Sequence, residues 1–235
     1  MWQIIRNELL SYSQAELIEK DLKFFQCYPG GYGEGDSFAG VKNPTVRMLS
    51  KKHKNVSIEV AFDLLTDPIH EIRLLALFIL DLKYNNKKTQ PTEKELIAKN
   101  YLTHLKFINN WDLVDSSAHF ILGPWAFNTN SDVLFNLSKS PILWENRVAI
   151  IATFYHIRQK SFDVPLQIAL TLLHHPHDLI HKAVGWMLRE IGNRNLETEL
   201  IFLRKHYKTM PRTMLRYAIE KFNEPLRLQL LKGTW

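Results

Sequence analysis

The sequence has one cysteine, Cys27, in 235 residues. A lone thiol cannot close an internal disulfide or build a cysteine-based zinc cluster, and it fits a reducing compartment. No stretch approaches the roughly 18 consecutive apolar residues that a membrane span requires. The segment from Met1 to Lys20 reaches polar and charged residues too soon for the apolar core of a signal peptide. Alternating apolar and polar runs of strand type are scarce, so a sheet is not expected. These absences predict a cytoplasmic chain with no membrane partner.

What is present is ordinary for a globular protein. Hydrophobic residues make up 46% and charged residues 23%, which excludes a disordered chain. The length permits one large domain or two small ones with a substantial core. Lysine and arginine number 30 against 24 acidic residues, for a formal net charge of +6. That balance favours an anionic partner, such as nucleic acid or an acidic membrane surface.

Periodicity is helical almost throughout. Ile180, Ala183, Val184, Met187, Leu188 and Ile191 fall on one helical face. So do Trp144, Val148, Ile151, Ala152 and Tyr155, then Leu215, Ala218, Ile219 and Phe222, then Ile72, Leu75, Ala76 and Ile79. Helix starts are predicted near Pro68, Pro91, Asn110, Pro141, Pro176 and Pro211, and a stop at Gly192-Asn193. The result is about a dozen helices joined by short loops. The tryptophan-bearing helices begin near Asn110, Pro141 and Pro176, a spacing compatible with a two-helix repeat of about 40 residues. The expected fold is all-α: a right-handed superhelical solenoid of HEAT-like antiparallel helix pairs. It occupies residues 1–235 as a single domain with a concave binding face.

Four constellations could carry chemistry. Trp111 and Asp115 lie one helical turn apart after the capping residues Asn109 and Asn110. Read as one helix with Val114, Ala118, Ile121 and Leu122, this segment puts Asp115 just inside a helix N-terminus, where the backbone dipole helps keep it ionised. Lys182, Trp186 and Arg189 lie off the apolar stripe of their helix and suit contacts with sugars and phosphates. Arg147, one turn after Trp144 and near the edge of its stripe, can fork onto a phosphate or a carboxylate. Arg212 and Arg216 share a face and could contact phosphate. Each set also has a structural reading: a core tryptophan beside a structural aspartate, an indole packed on a neighbouring helix, solvated arginines.

Two weaker signals lead elsewhere. His174, His175, His177 and His181 are scattered by Pro176 and lack a completing ligand, so no metal is expected. The loop from Pro29 to Asp36 is rich in glycine. It lacks the Lys-Ser/Thr ending of a P-loop and carries Glu34 and Asp36, which speaks against nucleotide binding. It reads as a mobile surface loop or one that packs over a ligand. No cofactor is expected.

Taken jointly, several segments resemble the AlkD-type DNA alkylation repair family, HEAT-like DNA glycosylases. They run Asn110-Trp-Asp-Leu-Val-Asp115, Trp144-Glu-Asn-Arg147, His181-Lys-Ala-Val-Gly-Trp-Met-Leu-Arg-Glu190 and Met210-Pro-Arg-Thr-Met-Leu-Arg-Tyr-Ala-Ile219. Phe38-Ala-Gly-Val-Lys-Asn-Pro44 with Arg47, and His70-Glu-Ile-Arg73, belong to the same pattern and keep the family order.

The resemblance implies excision of cationic N3- or N7-alkylated purines from double-stranded DNA by a monomer. It implies Asp115 as the catalytic carboxylate, with Trp111, Trp186 and Arg147 beside the lesion. Lys42, Arg47, Lys182, Arg189, Arg212 and Arg216 become DNA contacts. A tyrosine and a glutamine that some members place beside the lesion fall, ungapped, on Gly31 and Lys42, and Tyr32 adjoins the first. Two other classes fit the same chain: a non-catalytic HEAT-like binder of damaged or branched DNA, and a protein-interaction scaffold. Release of base from methylated duplex separates the first reading from the second, and duplex affinity at low salt separates it from the third.

Overall fold

A computed structural model describes residues 1–235, and the chain in it is all-helical. There is no β-strand; one isolated bridge joins Ser37 to Ile69. No helix is long and apolar enough to cross a membrane. The chain divides into two compact units, Met1–Leu122 and Gly123–Trp235.

The first unit contains α1 (Trp2–Leu10), α2 (Ala15–Phe24), α3 (Asn43–Lys52), α4 (Ile58–Leu65), α5 (His70–Tyr84), α6 (Pro91–Thr103) and α7 (Trp111–Asp115). Helix α8 (Ala118–Asn128) carries the boundary. The centre of this unit is α5, which packs against α3, α4, α6 and α7. Every residue from His70 to Leu80 is buried, so the predicted stripe of Ile72, Leu75, Ala76 and Ile79 is one side of a helix enclosed all round. Local chemistry fixes the starts. Ser57 Oγ accepts from the Val60 N–H before α4, and the Glu93 carboxylate accepts from the Gln90 N–H at 3.0 Å before α6. Pro124 inside α8 lacks the N–H that the Phe120 carbonyl would accept. Asn85 Nδ2 takes that carbonyl instead, at 3.2 Å.

The second unit holds α9 (Asp132–Ser138), α10 (Leu143–Ala152), α11 (Phe154–Arg158), α12 (Asp163–Thr171), α13 (Asp178–Gly192), α14 (Leu196–His206), α15 (Arg212–Ala218) and α16 (Glu224–Lys232). Helix α13 is central and touches α10, α11, α12, α14 and α15. Its predicted stripe, Ile180 through Ile191, is buried. Gly185 lets α13 meet α15: a Cβ there would press on the Met214 carbonyl and the Tyr217 side chain.

Two expectations need correction. About a dozen helices become sixteen α-helices, and two predicted helices are broken. Thr153 interrupts the Trp144–Tyr155 stripe: its hydroxyl donates to the Ile150 carbonyl at 2.6 Å, competing with the backbone ladder. Ser116 and Ser117 likewise end α7 before α8 starts, with Ser117 Oγ bonded to the Leu113 carbonyl at 2.6 Å. The stop at Gly192-Asn193 is as expected, with Asn193 at φ −60°. The glycine is there because the Glu199 carboxyl occupies the space a Cβ would fill.

Candidate functional site

In the first unit, α7 places the two residues singled out from the sequence. Asn110 Oδ1 accepts from the Trp111 N–H at 2.8 Å and starts the helix. Trp111 and Asp115 are both half-buried, four positions apart on one short helix. Asp115 is not inside a helix N-terminus as expected. It is the last residue of α7, at the carbonyl end, and the acidic residue of the first turn is Asp112.

Trp111 belongs to a pile of rings. Its indole stacks on Phe25, with centroids 5.5 Å apart and planes at 28°. Phe25 stacks on Phe38 at 5.0 Å, and Phe38 stacks on the His70 imidazole at 4.5 Å. Phe24 meets Trp111 edge-on at 5.9 Å and is itself exposed. Offset and edge contacts of this kind add roughly 0.5–1.5 kcal/mol per pair beyond area burial. Phe25, Phe38 and His70 border a cleft of about 270 Å³ that also reaches Lys20, Asp21 and Lys42. Burial and the nearby Glu71 charge raise the Asp21 carboxyl above its usual range.

Beneath the rings runs a charged network. His70 Nδ1 lies 2.8 Å from Asp36 Oδ2 and its Nε2 lies 2.8 Å from Asp112 Oδ2. Asp36 Oδ1 also accepts from Arg73 Nη2 at 2.8 Å. Burial would depress the imidazole, but the Asp112 and Asp36 carboxylates outweigh it and raise His70 to about 9. Asp36 is held below its ordinary value: the His70 and Arg73 contacts override the opposing effect of burial. Glu71, on the same helix, accepts from the Ala39 N–H at 3.0 Å and the Val41 N–H at 3.0 Å. These bonds explain why His70-Glu-Ile-Arg73 and Phe38 to Pro44 occur together: the helix start grips both the glycine-rich loop and the segment after it.

The loop itself is therefore tied down by the Asp36 carboxylate, which is buried. Gly30 and Gly35 both have φ +81°, where a side chain would be strained. Gly31 cannot be replaced by a tyrosine in this backbone, because a Cβ would run into the Gln26 carbonyl. Tyr32 donates its hydroxyl to the Phe24 carbonyl at 3.2 Å. Lys42 is exposed, precedes α3 and edges the cleft. Arg47 is exposed and lies 4.1 Å over the Phe78 ring.

In the second unit, Trp186 is half-buried on α13 beside Phe154, at 5.8 Å. Its indole N–H donates to Glu190 Oε1 at 3.3 Å, and Glu190 also pairs with Arg194 at 2.7 Å. Lys182 pairs with Asp178 at 2.8 Å, and Arg189 pairs with Glu220. Arg147 is not at the edge of its stripe: it is buried, and its Nη1 donates to the Leu179 carbonyl at 2.6 Å. Arg212 and Arg216 are exposed, and Arg212 Nη1 donates to the Leu231 carbonyl. The histidine run serves the start of α13. His177 Nδ1 accepts from the Leu179 N–H at 3.1 Å, and His181 Nε2 donates to the His175 carbonyl.

Sequence reading missed Phe24, Phe25, Asp36, His70 and Asp112. Phe24-Phe25 carried a faint signal, two aromatics at the end of a helix. The others could not be found from spacing, because His70 meets Asp36 and Asp112 across 34 and 42 positions.

The fold and these side chains define an all-helical protein with a half-buried indole and a carboxylate one turn apart. The chain belongs to the family of DNA alkylation repair enzymes, whose sequence profile matches residues 5–222. Among solved structures, it is similar to a predicted DNA alkylation repair enzyme from Enterococcus faecalis. The TM-score is 0.68 at 15% identity, covering 90% of this chain and 97% of that one. At that identity the likeness is one of fold. No curated protein matches.

Proposed function

We propose that this protein is a DNA glycosylase that hydrolyses the N-glycosidic bond of cationic N3- or N7-alkylated purines in duplex DNA. The observation that carries the reading is Trp111 and Asp115 one turn apart on α7, in a chain of the alkylation repair family. The HEAT-like description of the helix pairs within each unit belongs to the same proposal. It is supported by consecutive helices packed together, α4 on α5 and α13 on α14.

An alkylated purine already carries positive charge and leaves without a strong general acid. As the bond stretches, the deoxyribose becomes oxocarbenium-like. A fixed Asp115 carboxylate stabilises that charge. At about 4 Å and an effective dielectric near 20, one such pair amounts to roughly 4 kcal/mol, about a thousandfold in rate. Only the part gained beyond the ground state counts. Asp115 can also orient or deprotonate the attacking water. The face of Trp111 attracts the positively polarised sugar and lesion, with Tyr32 as a further lesion contact. Lys42, Arg47, Lys182, Arg189, Arg212 and Arg216 supply salt-dependent phosphate binding.

The test is incubation with methylated duplex DNA and identification of free base. Asp115→Asn should keep DNA affinity and lose excision by two to three orders of magnitude, on the order of one removed electrostatic stabiliser. A mutant that released base at the wild-type rate would remove Asp115 from the mechanism.

A further inference from the structure

The buried histidine below the ring pile has an unusual set of partners. Each ring nitrogen of His70 lies 2.8 Å from a carboxylate oxygen, Asp36 on one side and Asp112 on the other. A neutral imidazole has one N–H, so one carboxylate would face a lone pair; only the imidazolium donates to both. Its side chain is 2% exposed, so water does not supply the difference. The charged groups facing it are Asp36 from the loop, Glu71 and Arg73 on its own helix, Asp112 from α7, and Asp21 with Lys20 from α2. Arg73 is bonded to Asp36, Glu71 to backbone N–H groups.

Asp112 is the residue after Trp111, on a helix of five residues. So short a helix has few backbone bonds to fix its own rotation. His70 reaches Trp111 by two routes: through Asp112 along the chain, and through Phe38 and Phe25 across the stacked rings.

We propose that His70 is a positioning residue: its imidazolium, clamped between Asp36 and Asp112, sets the orientation of the helix that carries Trp111 and Asp115. The inference about catalysis rests on the glycosylase reading; the inference about Trp111 does not. Deprotonation removes one of the two donated bonds and releases Asp112 or Asp36. The environment of the Trp111 indole then changes over the pH range in which His70 titrates.

The first test needs no substrate. Tryptophan emission is recorded from pH 7 to 10.5 for the wild type and for Trp111→Phe, and the difference isolates Trp111. A step in the difference signal with a midpoint near pH 9 is expected. It should vanish in His70→Gln and in Asp112→Asn, each paired with its own Trp111→Phe partner. The second variant acts at a partly exposed side chain, should the first fail to fold. A flat difference signal in the folded wild type, or the same step persisting in either variant, overturns the proposal.

The second test is single-turnover excision across the same pH range. A displaced site typically loses about a hundredfold in rate. The variants should show that loss at pH 7 with duplex affinity within about threefold, and no alkaline inflection. A merely structural role would lower stability and leave the inflection in place. Absence of excision in the wild type bears on the glycosylase reading, while the emission step decides the positioning one.

Discussion

Phe25 stacks on Trp111 at 5.5 Å and on Phe38 at 5.0 Å. It stacks on both rings, so removing it takes one stacked partner from each, leaving Phe24 on Trp111 and His70 on Phe38. Phe25→Ala is expected to lower stability by about 3 kcal/mol, at the low end for a large aromatic because Phe25 is only half-buried. Urea unfolding measures this. Phe25→Leu should cost less than half as much, and equal losses would mean that the ring stacking, not the filled volume, carries the contribution.

The clamp around His70 predicts a pH profile of stability. His70 is raised from 6.5 to about 9, so its contribution is fully present below pH 6.5 and is lost as pH rises through about 9. Asp36 is lowered from 3.8, so its contribution is present above pH 3.8 and lost as pH falls through its lower folded value. The joint contribution of these two groups should therefore be flat between about pH 4 and 6.5 and decline on the alkaline side by roughly 3 kcal/mol. Chemical denaturation at pH 6 and pH 10 tests the decline. His70→Gln should be less stable at pH 6, and the difference between it and the wild type should shrink by pH 10, leaving only the slope that belongs to Glu199.

Glu199 in the second unit adds a decline of its own as pH rises. It is buried against Gly192, its Oε1 has no hydrogen-bond partner, and burial raises it from 4.5 to about 8 despite the Arg189 charge. Folding favours the protonated acid, so stability falls as pH rises from 4.5 through 8. Glu199→Gln should remove that slope and stabilise the protein at pH 8.5 by on the order of 3 kcal/mol. A variant that is less stable than the wild type at that pH would show that the carboxylate is ionised and paired.

Much of this was legible before folding. The all-helical class followed from periodicity, and the buried stripe from Ile180 to Ile191 was read residue by residue. Helix starts at Gln90-Pro91 and Met210-Pro211 were visible because proline and capping chemistry are local. What failed had two causes. Ser117 and Thr153 break helices with side-chain bonds to nearby carbonyls, a choice that apolar spacing does not record. Arg147 was placed at the edge of its stripe, yet it is buried on the Leu179 carbonyl, which belongs to another helix. The Asp36–His70–Asp112 clamp is wholly a product of tertiary structure: three titratable residues on a loop and two helices, with no common period. Asp36 counted as evidence against a nucleotide site, and its real task is to anchor the loop.

The single cysteine has a consequence of its own. Burial, with Asp36 nearby, pushes the Cys27 thiol up to about 11. At pH 7 only about one such sulfur in ten thousand is a thiolate, the form that attacks electrophiles. Labelling with iodoacetamide at pH 7.5 should be slower than for a free thiol by about two orders of magnitude, and should speed up on unfolding. Rapid labelling of the folded chain would contradict this. A protein whose family deals with alkylation damage thus keeps its one thiol in the protonated, slowly alkylated form at neutral pH.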